Sequence, residues 1–363
     1  MSDRLQSLIE AWDGVAVVCR FDAETGTWIF ICLHDDTLGP ATGGTRMMVY
    51  PAPEEALLDA MRLAEGMTDK WAGIEISYGG GKAVLALPHS LEGEERAGLL
   101  RRYGRLVQSL RGAFQTGEDL GTSTADMELI SRETEYVQGF DPAGGGKVDP
   151  SPYTARAVLS GLQVALRRVY GSDDPAGRTV LIQGVGNVGR RLAAMLAERG
   201  ARLLVSDIDA ARAQQVAREV GGEVVPADRI YQAPCDVYAP CAIGATLNRE
   251  SIPRLACRIV AGSANNQLAE TDDAERLHRR GILYLPDYVV NAGGAIAFAL
   301  MRQGVLPGEK LLERVEAIGS TVDQILREAE ERGDTPLAAA HRRVEATLAR
   351  AREERAGQAR TAG

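Results

Sequence analysis

The sequence predicts an α/β protein with two domains, the second of which is built on a doubly wound parallel sheet. Its 363 residues are enough for two domains, each with a sizeable core. A segment rich in proline and glycine, 141–152, marks the boundary between them. After this segment, strand-like and helical stretches alternate from Thr179 to Tyr284. Alternation of this kind indicates a parallel sheet with helices on both faces.

Composition and charge exclude several classes of function. The net charge of −9 argues against a nucleic-acid surface or an anionic membrane as partner. The five cysteines form no CxxC pair and are an odd number, which favours free thiols in a reducing compartment over disulfides or a metal site. No stretch is long and apolar enough for a membrane span, and the N-terminus lacks an apolar signal core. We therefore predict a cytoplasmic protein without a metal.

The expected first domain covers residues 1–148 together with a C-terminal helix at about 325–363, and the second domain covers 149–324. Residues 39–46 contain too many glycines for a regular element, so we predict an irregular, ligand-facing segment there. Alternation and helical periodicity in the first domain predict strands at 14–21 and 27–33 and helices at 54–66, 90–110 and 123–134.

The most informative stretch of the first domain is a lysine delivered by three glycines. Lys82 follows Gly79, Gly80 and Gly81, so the backbone can pass close to a ligand while the amine reaches toward it. The apolar run 83–87 predicts a strand that buries the base of this side chain. An amine held against apolar walls loses hydration and exchanges protons more readily near neutral pH. The alternative is a glycine-rich turn with a solvated lysine.

The second domain carries a GxGxxG pattern in the context that a dinucleotide site requires. The pattern is Gly184-Val185-Gly186-Asn187-Val188-Gly189; it follows an apolar strand and opens a helix. Such a turn places a pyrophosphate on the helix N-terminus, as in Rossmann domains. Asp207 ends the next strand and suits the ribose hydroxyls, which favours NAD over NADP. Three nearby basic residues, Arg190, Arg191 and Arg202, keep NADP open.

Polar side chains follow several other strand-like runs. Asp119 comes after a predicted strand, and its alternative role is to cap the next helix. Asn265 and Asn291 also follow apolar runs, where ligands gather at the carboxyl ends of strands. Their alternative role is turn formation, since asparagine tolerates left-handed backbone geometry.

Together these motifs resemble the leucine, phenylalanine and valine branch of the glutamate dehydrogenase (Glu/Leu/Phe/Val dehydrogenase) superfamily. The resemblance covers nearly the whole chain in order, and only the last helix and tail match loosely. The matching segments are 38–46, 66–70, 79–82, 117–119, 184–189, 238–242, 262–267 and 286–294.

The resemblance implies an N-terminal substrate domain and a C-terminal NAD domain with the reaction in the cleft between them. It implies that Lys70 pairs with the substrate's α-carboxylate, that Lys82 is the general acid and base, and that Asp119 shuttles protons at the amino group. Hydride then passes from the α-carbon to NAD. The implied substrate-binding positions also include Thr42, Gly43, Gly44, Met67, Gly117, Asn265, Asn291, Ala295 and Phe298. The implied cofactor positions are Arg46, Thr154, the six residues of the glycine motif, Asp207, Ile208, Cys241, Ala242, Ile243, Ala264, Asn265 and Asn291.

Four of these positions bear on the substrate's side chain. Glutamate-specific relatives have a cation at the Thr42 position and a serine at the Phe298 position, so we expect no cation here for a distal carboxylate, and glutamate to be rejected. Gly117 and Ala295 are small and leave room for an aromatic ring, although Phe298 takes some of that room back. We expect an NAD-dependent, reversible oxidative deamination of an apolar L-amino acid by a homo-oligomer. The alternatives are a glutamate dehydrogenase and a non-catalytic nucleotide-sensing homologue.

Overall fold

The computed structural model describes residues 9–10, 12–140 and 146–362, so the predicted boundary segment lies partly outside the described residues, at 141–145. Contacts divide the chain into two compact units. The first unit contains the residues up to 149 with 298–306 and 344–363, and the second contains 150–297 with 307–343. The predicted α/β class with two sheets is confirmed.

The first unit is built on a five-stranded sheet with the order β1-β2-β4-β3-β5. The central strand β4 pairs antiparallel with β2 and parallel with β3, and β3 also pairs parallel with β5. The strands are β1 (Ala16–Asp22), β2 (Thr27–Asp35), β3 (Ala41–Val49), β4 (Gly79–Leu87) and β5 (Phe114–Glu118). The helices are α1 (Pro53–Gly73), α2 (Gly93–Ser109) and α3 (Thr124–Ser131).

Strand β3 corrects the prediction of an irregular segment at 39–46. Glycine weakens a strand because it adds backbone entropy and has no side chain to pack, so the composition of this segment argued against regular structure. Here the glycines permit close packing instead. A Cβ atom on Gly43 would collide with the carbonyl oxygen of Gly81 in the neighbouring strand. The three glycines before Lys82 likewise lie within strand β4 and do not form a turn.

Two hydrophobic clusters cover the two faces of this sheet. On one face, α2 and α3 contribute residues such as Leu99, Tyr103 and Ile130. On the other face, α1 packs through Ala60 and Ala64 against the sheet. The β-strand alternation places Lys82 on the α1 face, because Val84 and Ala86 of the same strand belong to that cluster.

The second unit is built on a six-stranded sheet whose described pairings are all parallel. Its order is β11-β10-β9-β6-β7-β8, which is the 3-2-1-4-5-6 order of a Rossmann domain, with the switch point between β6 and β9. The strands are β6 (Thr179–Gln183), β7 (Arg202–Ser206), β8 (Glu223–Val224), β9 (Val237–Pro240), β10 (Ile259–Val260) and β11 (Leu283–Tyr284).

The helices after residue 150, which are divided between the two units, begin with α4 (Ser151–Tyr170), α5 (Asn187–Ala197), α6 (Ala210–Val220) and α7 (Asp273–Arg279). They continue with α8 (Asp287–Val290), α9 (Gly293–Arg302), α10 (Glu309–Glu316), α11 (Ile318–Arg332) and α12 (Pro336–Ala362). In the described part of the chain, no helix is long and apolar enough to cross a membrane.

The C-terminal segment that returns to the first unit begins at residue 344, not at about residue 325 as expected. Helix α11 packs on α4, where a Cβ atom on Gly161 would lie 3.5 Å from Val322 Cγ2. The hydroxyl of Ser160 also donates to the carbonyl oxygen of Glu316 at 2.7 Å. These contacts group the chain with the second unit as far as residue 343.

Candidate active site

The first unit brings Lys82 and Asp119 into direct contact. Lys82 Nζ lies 3.1 Å from Asp119 Oδ2, and the two side chains are only 6% and 16% exposed. Strand β4 supplies the lysine, and the aspartate directly follows the end of β5. A cation and a carboxylate at hydrogen-bond distance in a buried setting form a charge-assisted pair able to pass a proton.

Arg46 joins this pair to a second carboxylate. Its Nε atom donates to Asp119 Oδ2 at 3.1 Å, and its Nη1 atom donates to Asp59 Oδ2 at 2.9 Å. The hydroxyl of Tyr50 donates to the same Asp59 oxygen at 2.7 Å. The structure therefore places Arg46, a predicted cofactor-binding position, between two carboxylates of the first unit.

The surrounding charges decide the ionisation of Asp119. Burial acts to raise the pKa of its carboxyl, but the charges and hydrogen bonds of Lys82 and Arg46 outweigh burial and hold the pKa below its usual value. The pKa of Asp59 is also lowered: burial acts to raise it, and hydrogen bonds from Tyr50 and Arg62 outweigh that effect. Asp119 is therefore a carboxylate at neutral pH.

Glycines allow the neighbouring strands and helix α1 to pack closely around Lys82 and Asp119. A Cβ atom on Gly44 would lie 2.8 Å from Asp119 Cβ, and one on Gly43 would lie 3.1 Å from Met67 Cγ. A Cβ atom on Gly80 would collide with Thr68 of helix α1. These positions therefore admit only glycine without displacing the aspartate or the helix.

Helix α1 extends beyond its predicted end at residue 66 and reaches Gly73. The extension places Met67 and Lys70 on the helix, and Lys70 is half-buried in its last turn. Periodicity missed this extension because Gly66 is read as a helix terminator, whereas a Cβ atom there would meet nothing within 4 Å.

The four positions that the resemblance implies for the substrate's side chain lie in different parts of the structure. Thr42 Oγ1 donates to the carbonyl oxygen of Pro40 at 2.9 Å. Gly117 is buried in β5, and a Cβ atom on it would meet Gln138 Cβ at 3.7 Å. Phe298 groups with the first unit by contacts, whereas Ala295 groups with the second.

The glycine motif of the second unit forms a tight turn followed by an open helix end. Gly184 has a φ of +90° and lies against Ala242, so glycine is required there. A Cβ atom on Gly189 would collide with the carbonyl oxygen of Gly184, and Cys241 lies on the same side. By contrast, a Cβ atom on Gly186 would meet nothing within 4 Å. The turn leaves open space at the first residue of α5, where a pyrophosphate fits.

Asp207 has a structural contact that its sequence position did not reveal. Its Oδ2 atom accepts from the backbone N–H of Val185 at 2.9 Å, and its Oδ1 atom accepts from the N–H of Asp209 at 2.9 Å. The carboxylate therefore stabilises the glycine turn, and each of its two oxygens keeps a lone pair that can accept a hydrogen bond from a ligand. Two predicted cofactor positions beside this region, Ile208 and Ile243, are 97% and 72% exposed despite their apolar side chains.

The two asparagines meet in the second unit. Asn291 Nδ2 donates to Asn265 Oδ1 at 2.8 Å, and it also contacts the carbonyl oxygen of Ala264 at 3.4 Å. Asn291 is buried, and among the described residues its Oδ1 atom has no hydrogen-bond partner. Thr154, in the first turn of α4, lies next to Gly294 in the first turn of α9, where a Cβ atom would be 2.9 Å from its hydroxyl oxygen.

Comparison with known proteins follows the same two-part division. Residues 17–136 match the family model described as "Glu/Leu/Phe/Val dehydrogenase, dimerisation domain". Residues 205–355 match the model described as "Glutamate/Leucine/Phenylalanine/Valine dehydrogenase". The chain is also 42% identical to leucine dehydrogenase of Bacillus subtilis over 348 residues, which cover 96% of this chain and 94% of that protein.

The chain belongs to the Glu/Leu/Phe/Val dehydrogenase family. It is 40% identical to phenylalanine dehydrogenase of Lysinibacillus sphaericus over 92% of this chain and 87% of that protein. The crystal structure of L-tryptophan dehydrogenase from Nostoc punctiforme is 37% identical, has a TM-score of 0.79, and matches over 96% of this chain and 99% of that one. The resemblance stated from the sequence is therefore confirmed.

Lys147 lies beside the predicted substrate position Phe298 but was not singled out from the sequence. The side chain of Lys147 has 0% exposure, and its Nζ atom lies 4.8 Å from the centre of the Phe298 ring. A buried cation therefore lies beside Phe298, a residue that the expectation of no cation for a distal carboxylate did not take into account. Two signals were available: the chain has only four lysines, and Lys147, like Lys82, follows three glycines.

Proposed function

We propose that the protein catalyses the reversible, NAD-dependent oxidative deamination of an apolar L-amino acid to the 2-oxo acid and ammonia. The observation that carries this proposal is the buried contact of 3.1 Å between Lys82 Nζ and Asp119 Oδ2. The leucine and phenylalanine dehydrogenases to which this chain is about 40% identical act, as their names state, on apolar amino acids.

Lys82 acts as general acid and base. As an amine, it takes a proton from the water that attacks the imine carbon; as an ammonium, it returns a proton when the carbinolamine collapses. Asp119 fixes the position of the Lys82 amine through Oδ2 and accepts or donates a proton at the substrate's nitrogen. Holding the Lys82 ammonium and accepting a proton from the substrate's nitrogen both need the ionised carboxylate, which the lowered pKa of Asp119 provides. Asp119 donates in the reverse direction only the proton that it has accepted.

Lys70 binds the substrate's α-carboxylate. It lies in the last turn of α1, the helix whose Met67 contacts β3 at Gly43. A hydrated ammonium on a long stem suits an exposed carboxylate, and the positive charge fixes the α-carbon relative to Lys82.

The residues of the second unit fit a bound NAD, which accepts the hydride from the α-carbon. The open end of α5 at Gly186 fits the pyrophosphate, and Asp207 fits the ribose hydroxyls. The exposed side chain of Ile208 offers an apolar surface for the adenine. The buried, unpartnered Oδ1 atom of Asn291 suits a donor such as the carboxamide N–H of nicotinamide.

We also propose that the protein works as a homo-oligomer. Support comes from the family model over residues 17–136, whose description names a dimerisation domain.

Absorbance of NADH tests the proposal directly. Purified protein is assayed with leucine, phenylalanine, valine, tryptophan and glutamate, each with NAD and with NADP. We expect turnover with several apolar amino acids and NAD. Turnover with glutamate alone would establish the glutamate dehydrogenase alternative, and no turnover with any amino acid would establish the non-catalytic one.

A further inference from the structure

The buried ammonium of Lys147 has an unusual environment. Its side chain has 0% exposure, and among the described residues its Nζ atom donates no hydrogen bond. A buried ammonium without hydrogen bonds destabilises the folded protein unless other groups offset its charge. The charge of Lys147 must therefore be offset by a group that does not accept a hydrogen bond from it.

Two neighbouring groups compensate the charge. The Phe298 ring lies with its centre 4.8 Å from Nζ, within the range of a cation–π interaction. Glu118 Oε2 lies 4.0 Å away, too far for a hydrogen bond but close enough for charge attraction. Burial lowers the pKa of Lys147, and the charge of Glu118 acts in the opposite direction. The ring is thus the group in direct contact with the cation.

The backbone of Gly139 holds the lysine and the ring together. Gly139 has a φ of +87°, a conformation that favours glycine. A Cβ atom there would lie 2.7 Å from two atoms of the Phe298 ring and 2.8 Å from Lys147 Nζ. Absence of a side chain at this residue is therefore what permits the cation to approach the ring.

We propose that Lys147 is a positioning residue that fixes the ring of Phe298 and thereby sets the width of the site for the substrate's side chain. The inference rests on the proposed function and on the expectation, from the family resemblance, that Phe298 lines that site. The ammonium attracts the negative face of the ring, so rotation of the ring away from Lys147 costs the cation–π energy. A ring held in one orientation presents a fixed wall, and specificity then depends on a residue that does not touch the substrate.

The test measures kcat/KM for phenylalanine and leucine in four proteins: wild type, Lys147→Met, Phe298→Leu and the double variant. Methionine keeps the length of the stem and removes the charge. Freeing the ring gives aromatic substrates more room, so we expect Lys147→Met to raise the phenylalanine-to-leucine ratio about threefold to tenfold. In the Phe298→Leu background the same change should alter the ratio less than twofold, because the ring is already absent.

Lys310, a lysine outside the proposed site, supplies the matched control. Its side chain is exposed in α10, so Lys310→Met should leave the ratio unchanged. A merely structural role of Lys147 would lower kcat/KM for both amino acids alike and leave their ratio unchanged. An unchanged ratio in Lys147→Met, or an equal change in both backgrounds, overturns the inference.

A second variant keeps the test decisive if Lys147→Met does not fold. Phe298→pentafluorophenylalanine, introduced by codon suppression, preserves the shape of the ring and reverses the charge distribution of its face. The ratio should change in the same direction as in Lys147→Met, and an unchanged ratio contradicts the proposal. Absence of turnover in the wild type with leucine, phenylalanine, valine and tryptophan alike would instead contradict the proposed function, so the two failures are distinguishable.

Discussion

Lys82 and Arg46 bind the same oxygen of Asp119: Nζ of the lysine and Nε of the arginine each lie 3.1 Å from Oδ2. Neither contact uses Oδ1, the other oxygen of the carboxylate. One oxygen thus holds the two cations, and the second is the one that the proposed mechanism directs to the substrate's nitrogen. The roles of Lys82 and Arg46 can be separated experimentally, because only the lysine is proposed to exchange protons.

Replacement of Lys82 should remove the general acid and base. We expect Lys82→Ala to lower kcat about 10²–10⁴-fold or more, while NAD still binds because the proposed cofactor positions other than Arg46 lie in the second unit. Turnover is measured from NADH absorbance and NAD binding by calorimetry, with Lys310→Met as the control. Turnover near that of the wild type would refute the assignment.

Replacement of Arg46 should move the pH profile. Its positive charge helps to keep Asp119 ionised, so the Arg46→Gln variant should have a higher pKa at this carboxyl. When the pH is lowered, the variant should therefore protonate Asp119, and lose activity, at a higher pH than the wild type does. We expect the acidic limb of kcat/KM against pH to move upward by about one unit or more.

The matched control for this experiment is Arg62→Gln. Arg62 binds the other oxygen of Asp59 at 3.0 Å, is exposed, and forms no ion pair with Asp119 in the described structure. Its replacement should leave the acidic limb in place. If Arg46→Gln and Arg62→Gln shift the limb equally, the direct contact with Asp119 does not control the ionisation.

Replacement of Asp207 should have two effects on cofactor use. Asp207→Ser removes the charge that repels the 2′-phosphate of NADP, so the preference for NAD over NADP should narrow. It also removes the acceptor of the Val185 N–H, so the affinity for NAD itself should fall.

The ratio of kcat/KM with NAD to kcat/KM with NADP measures the preference. The dissociation constant of NAD measures the affinity. Asp228→Ser, at an exposed position of the same unit, is the control. Better use of NADP than of NAD by the unmodified protein would contradict the role assigned to Asp207.

Filling space at Gly117 should shift the choice of substrate. A Cβ atom there would make an ordinary contact of 3.7 Å with Gln138, so the Gly117→Ala variant should fold normally. We expect Gly117→Ala and Ala295→Val each to lower the ratio of kcat/KM for phenylalanine over leucine, by about 10-fold to 200-fold per added methyl group. If the ratio is unchanged or higher in both variants, these residues do not line the site for the substrate's side chain.

The second unit was more predictable from sequence than the first. Local signals define a Rossmann domain: the glycine turn after Gln183, the helix from Asn187, and the acid after the next strand are all within about 25 residues of one another. In the first unit, β3 lies between β4 and β5, which are distant in sequence. Its regular structure depends on those neighbours, and no property of residues 41–49 alone reveals it.

The contacts of individual side chains were predictable only where a motif implied them. Proximity of Lys82 to Asp119 agrees with the pairing expected from the resemblance, although their roles stay a prediction. The backbone contacts of Asp207, the clamp of Arg46 on two carboxylates, and the burial of Lys147 depend on tertiary packing. Burial of a charged residue is rare enough that sequence patterns favour an exposed position for it.

The contrast among the glycines has a consequence for engineering of substrate range. Random libraries that include Gly43, Gly44 or Gly80 will consist mostly of inactive members, since each of these positions places a new Cβ atom against backbone or against Asp119. Gly117 lies in the same sheet and has room for a methyl group. A directed-evolution campaign that randomises residue 117 and keeps the other three unchanged would therefore explore new substrates while most of its clones stay folded.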